Sequence, residues 1–229
     1  MKVLSRAIIM ARMMTRTFTA LAGILLAVGC TELRAQDAAP NSSISPDGRW
    51  KYECRPFGNL GQCAPTLTKA GSDDVEVDLD DELGISGPYA ERARVVWAPD
   101  SRRFACNYSP PHPHSATVNQ VAFYQFKGDK WERLESPTDD ASSRLQLAQL
   151  GKGRLPKGFK LAQCDDNQDE LKATKWLDPS RVVVYAPCYG TDVEEQAGFL
   201  FTLKFDNAGK WKVVATHRMS NKELDETGR

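Results

Sequence analysis

The sequence predicts a mainly all-β fold of three four-stranded antiparallel meanders, with a short helix inserted between the second and third and another at the C-terminus. Two observations carry this. The same strand-turn-strand pattern recurs along the chain at a nearly constant offset, and periodic self-similarity of this kind marks a repeat architecture. The turns inside the pattern place Pro, Asp, Gly or Ser where the backbone must reverse. A third observation sets the scale: 229 residues, 41% apolar and 26% charged, are ordinary for a folded chain of one domain or at most two.

In chain order the first element is a leader, residues 1–29. Arg16 supplies a positive segment, Phe18-Thr-Ala-Leu-Ala-Gly-Ile-Leu-Leu-Ala-Val28 an apolar run, and small residues follow, as in a bacterial signal peptide. Four of the five Met residues (Met1, Met10, Met13 and Met14) precede that run, so translation can start at any of them. The run falls short of the roughly 20 apolar residues that span a bilayer. Leu26-Ala-Val-Gly-Cys30 resembles a lipobox, in which Cys30 would be lipidated and become the mature N-terminus, although Ala27 stands where such motifs usually have Leu. Cleavage after Ala35 is the competing site. Residues 30–43, small, polar and aperiodic, read as a flexible tether to a single β domain over 44–229.

The copies span about 44–80, 92–137 and 171–218. Val95-Val-Trp97-Ala-Pro-Asp-Ser-Arg-Arg-Phe-Ala-Cys106 matches Thr174-Lys-Trp176-Leu-Asp-Pro-Ser-Arg-Val-Val-Val-Tyr185. Phe123-Tyr-Gln-Phe-Lys-Gly-Asp-Lys-Trp131-Glu-Arg-Leu134 matches Phe201-Thr-Leu-Lys-Phe-Asp-Asn-Ala-Gly-Lys-Trp211-Lys-Val-Val214. Trp97 and Trp176 lie 79 positions apart and Trp131 and Trp211 lie 80 apart, so one register relates both pairs. Repetition at matching places points to core packing for these indoles rather than to a ligand platform. The first copy is degenerate: Ile44-Ser-Pro-Asp-Gly-Arg-Trp50 keeps the turn, and Thr66–Leu79 supplies two further strands around Gly71. Val75-Glu-Val-Asp-Leu79 alternates as a half-buried strand, whereas Val182-Val-Val-Tyr185 reads as buried on both faces.

Ser45-Pro-Asp-Gly-Arg-Trp50 and Trp97-Ala-Pro-Asp-Ser-Arg-Arg-Phe104 resemble the WD40-like Ser-Pro-Asp blades of periplasmic Tol-type β-propellers and of propeller domains that cover some serine peptidases. The resemblance implies a partial or incomplete propeller, since closure takes roughly four to eight blades. It implies turns, not an active site.

Two helices are expected beside the strands. Residues about 139–152 interrupt the pattern with good helix formers and apolar residues at 145, 147, 148 and 150. Ser220-Asn-Lys-Glu223 is a capping box opening a short helix over about 220–228, with Leu224 as its single apolar contact.

With Cys30 lipidated, five cysteines remain, an odd number. Cys54 and Cys63 flank a turn-rich loop that closes a hairpin, which makes a disulfide between them easy and sensible in an oxidising compartment. Cys164 with Cys188 is a second candidate pair. Cys106 reads as a buried small apolar residue.

The remaining polar features point to no catalytic, cofactor or metal site. His112 and His114, in a Pro-rich loop, are weak metal candidates without a carboxylate or Cys at ligand spacing. With His217 they are all the imidazoles in the chain. Asp73–Gly84 carries many acids, but a calcium-loop alignment puts Leu83 where Gly is required, so it reads as the wet face of a strand followed by a charged turn. Gly84-Ile-Ser86-Gly-Pro misses a nucleophile elbow.

Without residues 1–29 the chain holds 26 basic against 30 acidic residues, a formal charge of −4, which argues against nucleic acid as partner. The reading that follows is a non-enzymatic, exported envelope protein, periplasmic or an outer-membrane lipoprotein. It would bind an unidentified protein or envelope ligand through its loops, need no cofactor, and meet a membrane only through Cys30. The alternative is a small hydrolase or metal-dependent enzyme using His112, His114 and the acidic loops.

Overall fold

The computed structural model describes residues 42–57, 62–85, 87–109, 120–139, 147, 150–151, 153–160, 170–189 and 196–227, all within the compact unit Ala38–Arg229. Cys30, His112, His114, Cys164 and Ser86 lie outside these residues. Twelve strands form three four-stranded antiparallel meanders. The first holds β1 (Ser42–Ile44), β2 (Trp50–Phe57), β3 (Gln62–Lys69) and β4 (Val75–Asp78). The second holds β5 (Arg94–Trp97), β6 (Arg103–Tyr108), β7 (Gln120–Lys127) and β8 (Lys130–Leu134). The third holds β9 (Lys172–Asp178), β10 (Arg181–Tyr189), β11 (Gln196–Phe205) and β12 (Trp211–Arg218).

The turns explain the order. In the first copy Gly48, at φ +74°, donates its N–H to the Ser45 carbonyl, and Ser45 N–H reaches Trp50 O at 2.9 Å. Ser101 takes Gly48's place in the second copy at φ +58°, a left-handed conformation unusual for a residue with a Cβ. Its hydroxyl accepts the Asp47 N–H at 2.9 Å, tying the first turn to the second. In the third copy Asp178 organises the turn, its carboxylate accepting the N–H groups of Ser180 and Arg181 at 2.8 Å each.

The second sheet is packed on both faces, because β6 and β7 alternate between two cores. Phe104, Cys106, Tyr108, Ala122 and Tyr124 join Trp50, Tyr52, Leu67 and Val77 of the first sheet. Ala105, Val121 and Phe123 join Ala173, Val182, Phe201 and Leu203 of the third. Among the described residues neither core joins the first sheet to the third, so the stack is open rather than closed into a barrel. The repeated indoles do matching work: Trp97 Nε1 donates to Ser43 Oγ at 2.8 Å and Trp176 Nε1 to Val96 O at 3.0 Å, each reaching the first strand of the preceding sheet. Trp131 faces Phe126 and Trp211 faces Phe205 in register. Trp131 and Trp176 are buried; Trp97 and Trp211 are half-buried.

The acidic stretch departs from expectation. After β4 it forms a helix, α1 (Leu79–Leu83), instead of a charged turn. Asp78 caps it by accepting the N–H groups of Asp80 and Asp81, and Leu79 and Leu83 bury against the first core. Within the expected insertion, residues 147, 150 and 151 are helical and Leu147 packs into the second core. The C-terminal helix, α2 (Asn221–Thr227), has the expected box: Ser220 N–H donates to Glu223 Oε2 at 2.7 Å and Glu223 N–H to Ser220 Oγ at 3.4 Å. It lies over β11 where a Cβ on Gly198 would stand 2.5 Å from Leu224 Cδ2, so any larger residue there must displace the Leu224 side chain.

Candidate functional site

The second sheet is tied to the third at both ends of β6. Buried Arg103, at the start of β6, donates to Pro179 O at 2.8 Å and is held by Gln125 Oε1 at 2.7 Å. Four residues further along β6, next to Tyr108, Asn107 Nδ2 donates to Ala173 O while Ala173 N–H donates to Asn107 Oδ1, both at 2.8 Å. These side chains are satisfied and structural.

The Tyr108 end opens into a shallow, solvent-open cleft of about 650 Å³ lined by Tyr108, Arg133, Leu134, Glu135, Thr138 and Asp139. Its floor is β6 and its wall the chain leaving β8. Tyr108 donates its phenol to Gln120 Oε1 at 3.0 Å, and burial pushes that phenol up to about 12. Ser136 and Thr138 both donate hydroxyls to the Val121 carbonyl, fastening the wall to β7. Asp139 accepts the Ser136 N–H at 2.7 Å and pairs with Arg133 Nη2 at 2.5 Å. The Arg133 guanidinium is thereby oriented at the mouth, with donors to spare beyond the Asp139 pair. Glu135 is exposed next to it. An oriented guanidinium, a phenol and an exposed carboxylate suit recognition of a polar, partly anionic ligand. The Thr138 hydroxyl, like that of Ser136, is already committed to Val121.

The sequence candidates fall elsewhere. Cys54 and Cys63 form a disulfide across β2 and β3, with Cα atoms 5.2 Å apart. Cys106 is a free, fully buried thiol that burial pushes up to about 12, the apolar role expected of it. Cys188 is half-buried on β10. His217 Nε2 lies 3.1 Å from Glu223 Oε1, beside the helix cap. Among the described residues no group of three or more His, Cys, Asp or Glu could hold a metal, and no helix is long and apolar enough to cross a membrane. The cleft residues escaped sequence reasoning; the only local signal is Ser136-Pro-Thr-Asp139, a turn sequence that marks a loop without marking a site.

No family model matches the chain, and no curated protein matches it. Among solved structures a prolyl endopeptidase is similar at 12% identity and a TM-score of 0.38, over 77% of this chain. The chain spans 22% of that protein's length.

Proposed function

We propose that the chain is a non-enzymatic binding protein of the cell envelope that engages its ligand through the cleft at the Tyr108 end of the second sheet. The observation that carries this reading is the difference in how the polar side chains of that sheet are used. Arg103, Asn107 and the turn residues are spent on inter-sheet bonds, whereas Arg133 is oriented by Asp139 toward open solvent on a rigid base. A rigid scaffold presenting adaptable loops is the common plan of binding modules. The leader sequence supports export, the Cys54–Cys63 disulfide suits an oxidising compartment, and the Ser-Pro-Asp resemblance supports a periplasmic setting. Lipidation at Cys30 is the preferred anchor, with release after Ala35 the other outcome.

A photo-crosslinking residue in place of Thr138 tests the site in envelope extract. One discrete adduct, lost in Arg133→Ala and absent when the group stands at exposed Lys157 instead, is the expected result. Crosslinking at neither position, or stoichiometric metal with hydrolytic turnover lost in His112→Ala/His114→Ala, would overturn it.

A further inference from the structure

The two outer sheets each expose one face, and the charges on those faces are arranged differently. On the first sheet acids and bases interleave: Lys51 and Arg55 both pair with Glu53, and Lys69 pairs with Glu76 at 3.0 Å. On the third, cations stand directly opposite one another. Lys212 pairs in register with Lys204, and Lys204 with Arg181, three positive side chains abreast on three adjacent strands. Arg181 is answered by Asp178 at 2.5 Å. Among the described residues Lys204 and Lys212 have no ion pair, nor do Lys175, opposite Val183, and Lys172, opposite Tyr185. The nearby Asp206 carboxylate is taken by the N–H groups of Ala208 and Lys210. Like charges directly opposite destabilise a sheet, so Lys204 and Lys212 lower stability here, and among the described residues only Arg181 of the row is compensated, by Asp178.

Apolar groups flank the row. On β9 the register skips Leu177, which with Asp178 opposes Arg181; on β12 it skips Val214, which with Ala215 opposes Thr202. Bulges re-aim side chains, and these two extra residues are 46% and 45% exposed. Each edge strand of the third sheet thus carries an exposed aliphatic residue two positions from a lysine, Leu177 from Lys175 and Val214 from Lys212. The far end of the same face is covered by α2, with Met219, Leu224 and Tyr185 around Gly198 and exposed Asp225 and Glu226 on the helix, so the cationic rows lie at the near end.

We propose that this face docks on a bilayer surface bearing anionic phosphate headgroups. The lysines and Arg181 meet the phosphates, and Leu177 and Val214 enter the interfacial region. Basic residues with flanking aliphatic side chains fit a lipid interface, where both attractions act together; a soluble polyanion would use only the first. The proposal rests on the envelope reading for the presence of a bilayer and on the third sheet alone for what touches it.

The test is sedimentation of the full chain, carrying Cys30→Ser so that no acyl chain contributes, with vesicles of phosphatidylcholine or of phosphatidylcholine with one third phosphatidylglycerol. Binding only to the anionic vesicles, and weaker at high salt, is expected. Lys204→Ala/Lys212→Ala should lower the partition coefficient about twenty-five-fold, at roughly fivefold per lysine, while Lys157→Ala/Lys160→Ala on an exposed loop should not. Removing like-charge repulsion leaves the variant's melting temperature equal or higher, which separates lost docking from lost folding. Leu177→Ser/Val214→Ser should cost several-fold more. Equal binding to both vesicle types, or equal losses in both lysine variants, would overturn the proposal. So would polyglutamate binding as tight as vesicle binding together with a silent Leu177→Ser/Val214→Ser, which would indicate a soluble acidic polymer. Arg133→Ala leaves vesicle binding unchanged and Lys204→Ala/Lys212→Ala leaves the Thr138 adduct unchanged, so either reading can fail alone.

Discussion

Toward the first sheet the central sheet turns Phe104, Tyr108, Tyr124 and Trp131; toward the third it turns Ala105, Asn107, Val121 and Phe123. The first seam is built of rings. Trp131 sits 5.3 Å from Trp50, 4.9 Å from Phe104 and 5.5 Å from Phe126, edge-on or tilted to each. The second seam also packs rings, Phe123 edge-on to Phe205 at 5.0 Å and to Trp176 at 6.2 Å, but sets among them the small residues Ala98, Ala105 and Ala173, which let backbones approach. There Asn107 can close two hydrogen bonds on the Ala173 peptide groups and Arg103 can reach Pro179. Bulk and directional bonding thus join the same repeated unit in different proportions, since the first seam has bonds of its own from the Asp47 N–H to Ser101 and from Trp97 to Ser43. The residue choice at β6 shifts that proportion on each face.

The contrast predicts that the first seam fails through volume. Trp131→Ala should cost about 3–5 kcal/mol, since a buried ring leaves a cavity among neighbours that cannot collapse. Thermal melting should fall by roughly 10 °C at about 2–4 °C per kcal/mol. Trp131→Phe should be much milder, because the indole N–H is buried without an acceptor and nothing polar is lost. Trp211, its register equivalent, is half-buried at the edge of the second core, and Trp211→Ala should cost about half as much. Equal losses from Trp131→Ala and Trp211→Ala would show that the seams do not differ.

The second seam should instead fail through unsatisfied polar groups. Asn107→Leu keeps the volume but strands both the N–H and the carbonyl of Ala173, a loss of about 2–4 kcal/mol by urea unfolding. Tyr52→Phe, the nearest counterpart in the first seam, frees only the Ala93 carbonyl that its hydroxyl reaches at 3.0 Å and should cost about 1 kcal/mol. A reversed order would put the directional bonds on the wrong side.

These differences explain what could be read in advance. The three meanders were legible because Pro46-Asp47-Gly48, Pro99-Asp100-Ser101 and Asp178-Pro179-Ser180 set chain reversal locally. The Cys54–Cys63 bridge was legible for the same reason, being confined to one hairpin. The helix at Leu79–Leu83 was not: five residues carry no helical period, and Asp78 becomes a cap only once Leu79 and Leu83 have a core to bury in. The cleft was illegible because Tyr108 and Asp139 are 31 positions apart and meet only when β6, β7 and β8 pair. The row Lys212–Lys204–Arg181 likewise exists only in the register of the folded sheet.

A bridge in one hairpin should sharpen the comparison by acting on one seam alone. The two cysteines are 9 positions apart, so reduction, or Cys54→Ala/Cys63→Ala, should cost about 2–3 kcal/mol in the chain-entropy account. Hydrogen exchange should then quicken in β2 and β3, while amides of β10 and β11 keep their protection. Uniform quickening would mean that the two seams open as one unit.

The smallest expected effect concerns acid. Asp47 and Asp178 organise the turns that touch the first and second seams. The Asp47 carboxyl is nudged up by burial but carried down to about 2 by the Arg49 N–H, the Ser45 hydroxyl and the Arg49 guanidinium. Asp178 is held below the ordinary carboxylate range by Arg181 first and then by the Ser180 N–H. A depressed folded pKa means that the folded state prefers the ionised form. Its stabilisation is therefore full above the ordinary carboxylate value near 4 and is lost as pH falls through about 2 for Asp47, and lower still for Asp178. Denaturant midpoints between pH 5 and pH 2 should fall with acid in the parent chain. Asp47→Asn and Asp178→Asn should each remove part of that slope, Asp47→Asn nearer pH 3 and Asp178→Asn at the acid limit. Exchange rates locate the loss: protonating Asp47 loosens the backbone N–H that reaches Ser101 and so the first seam, whereas protonating Asp178 loosens the Pro179 carbonyl that Arg103 grips and so the second. Identical exchange patterns in the two Asn variants would mean that the turns answer to the whole stack rather than to the seam each one borders.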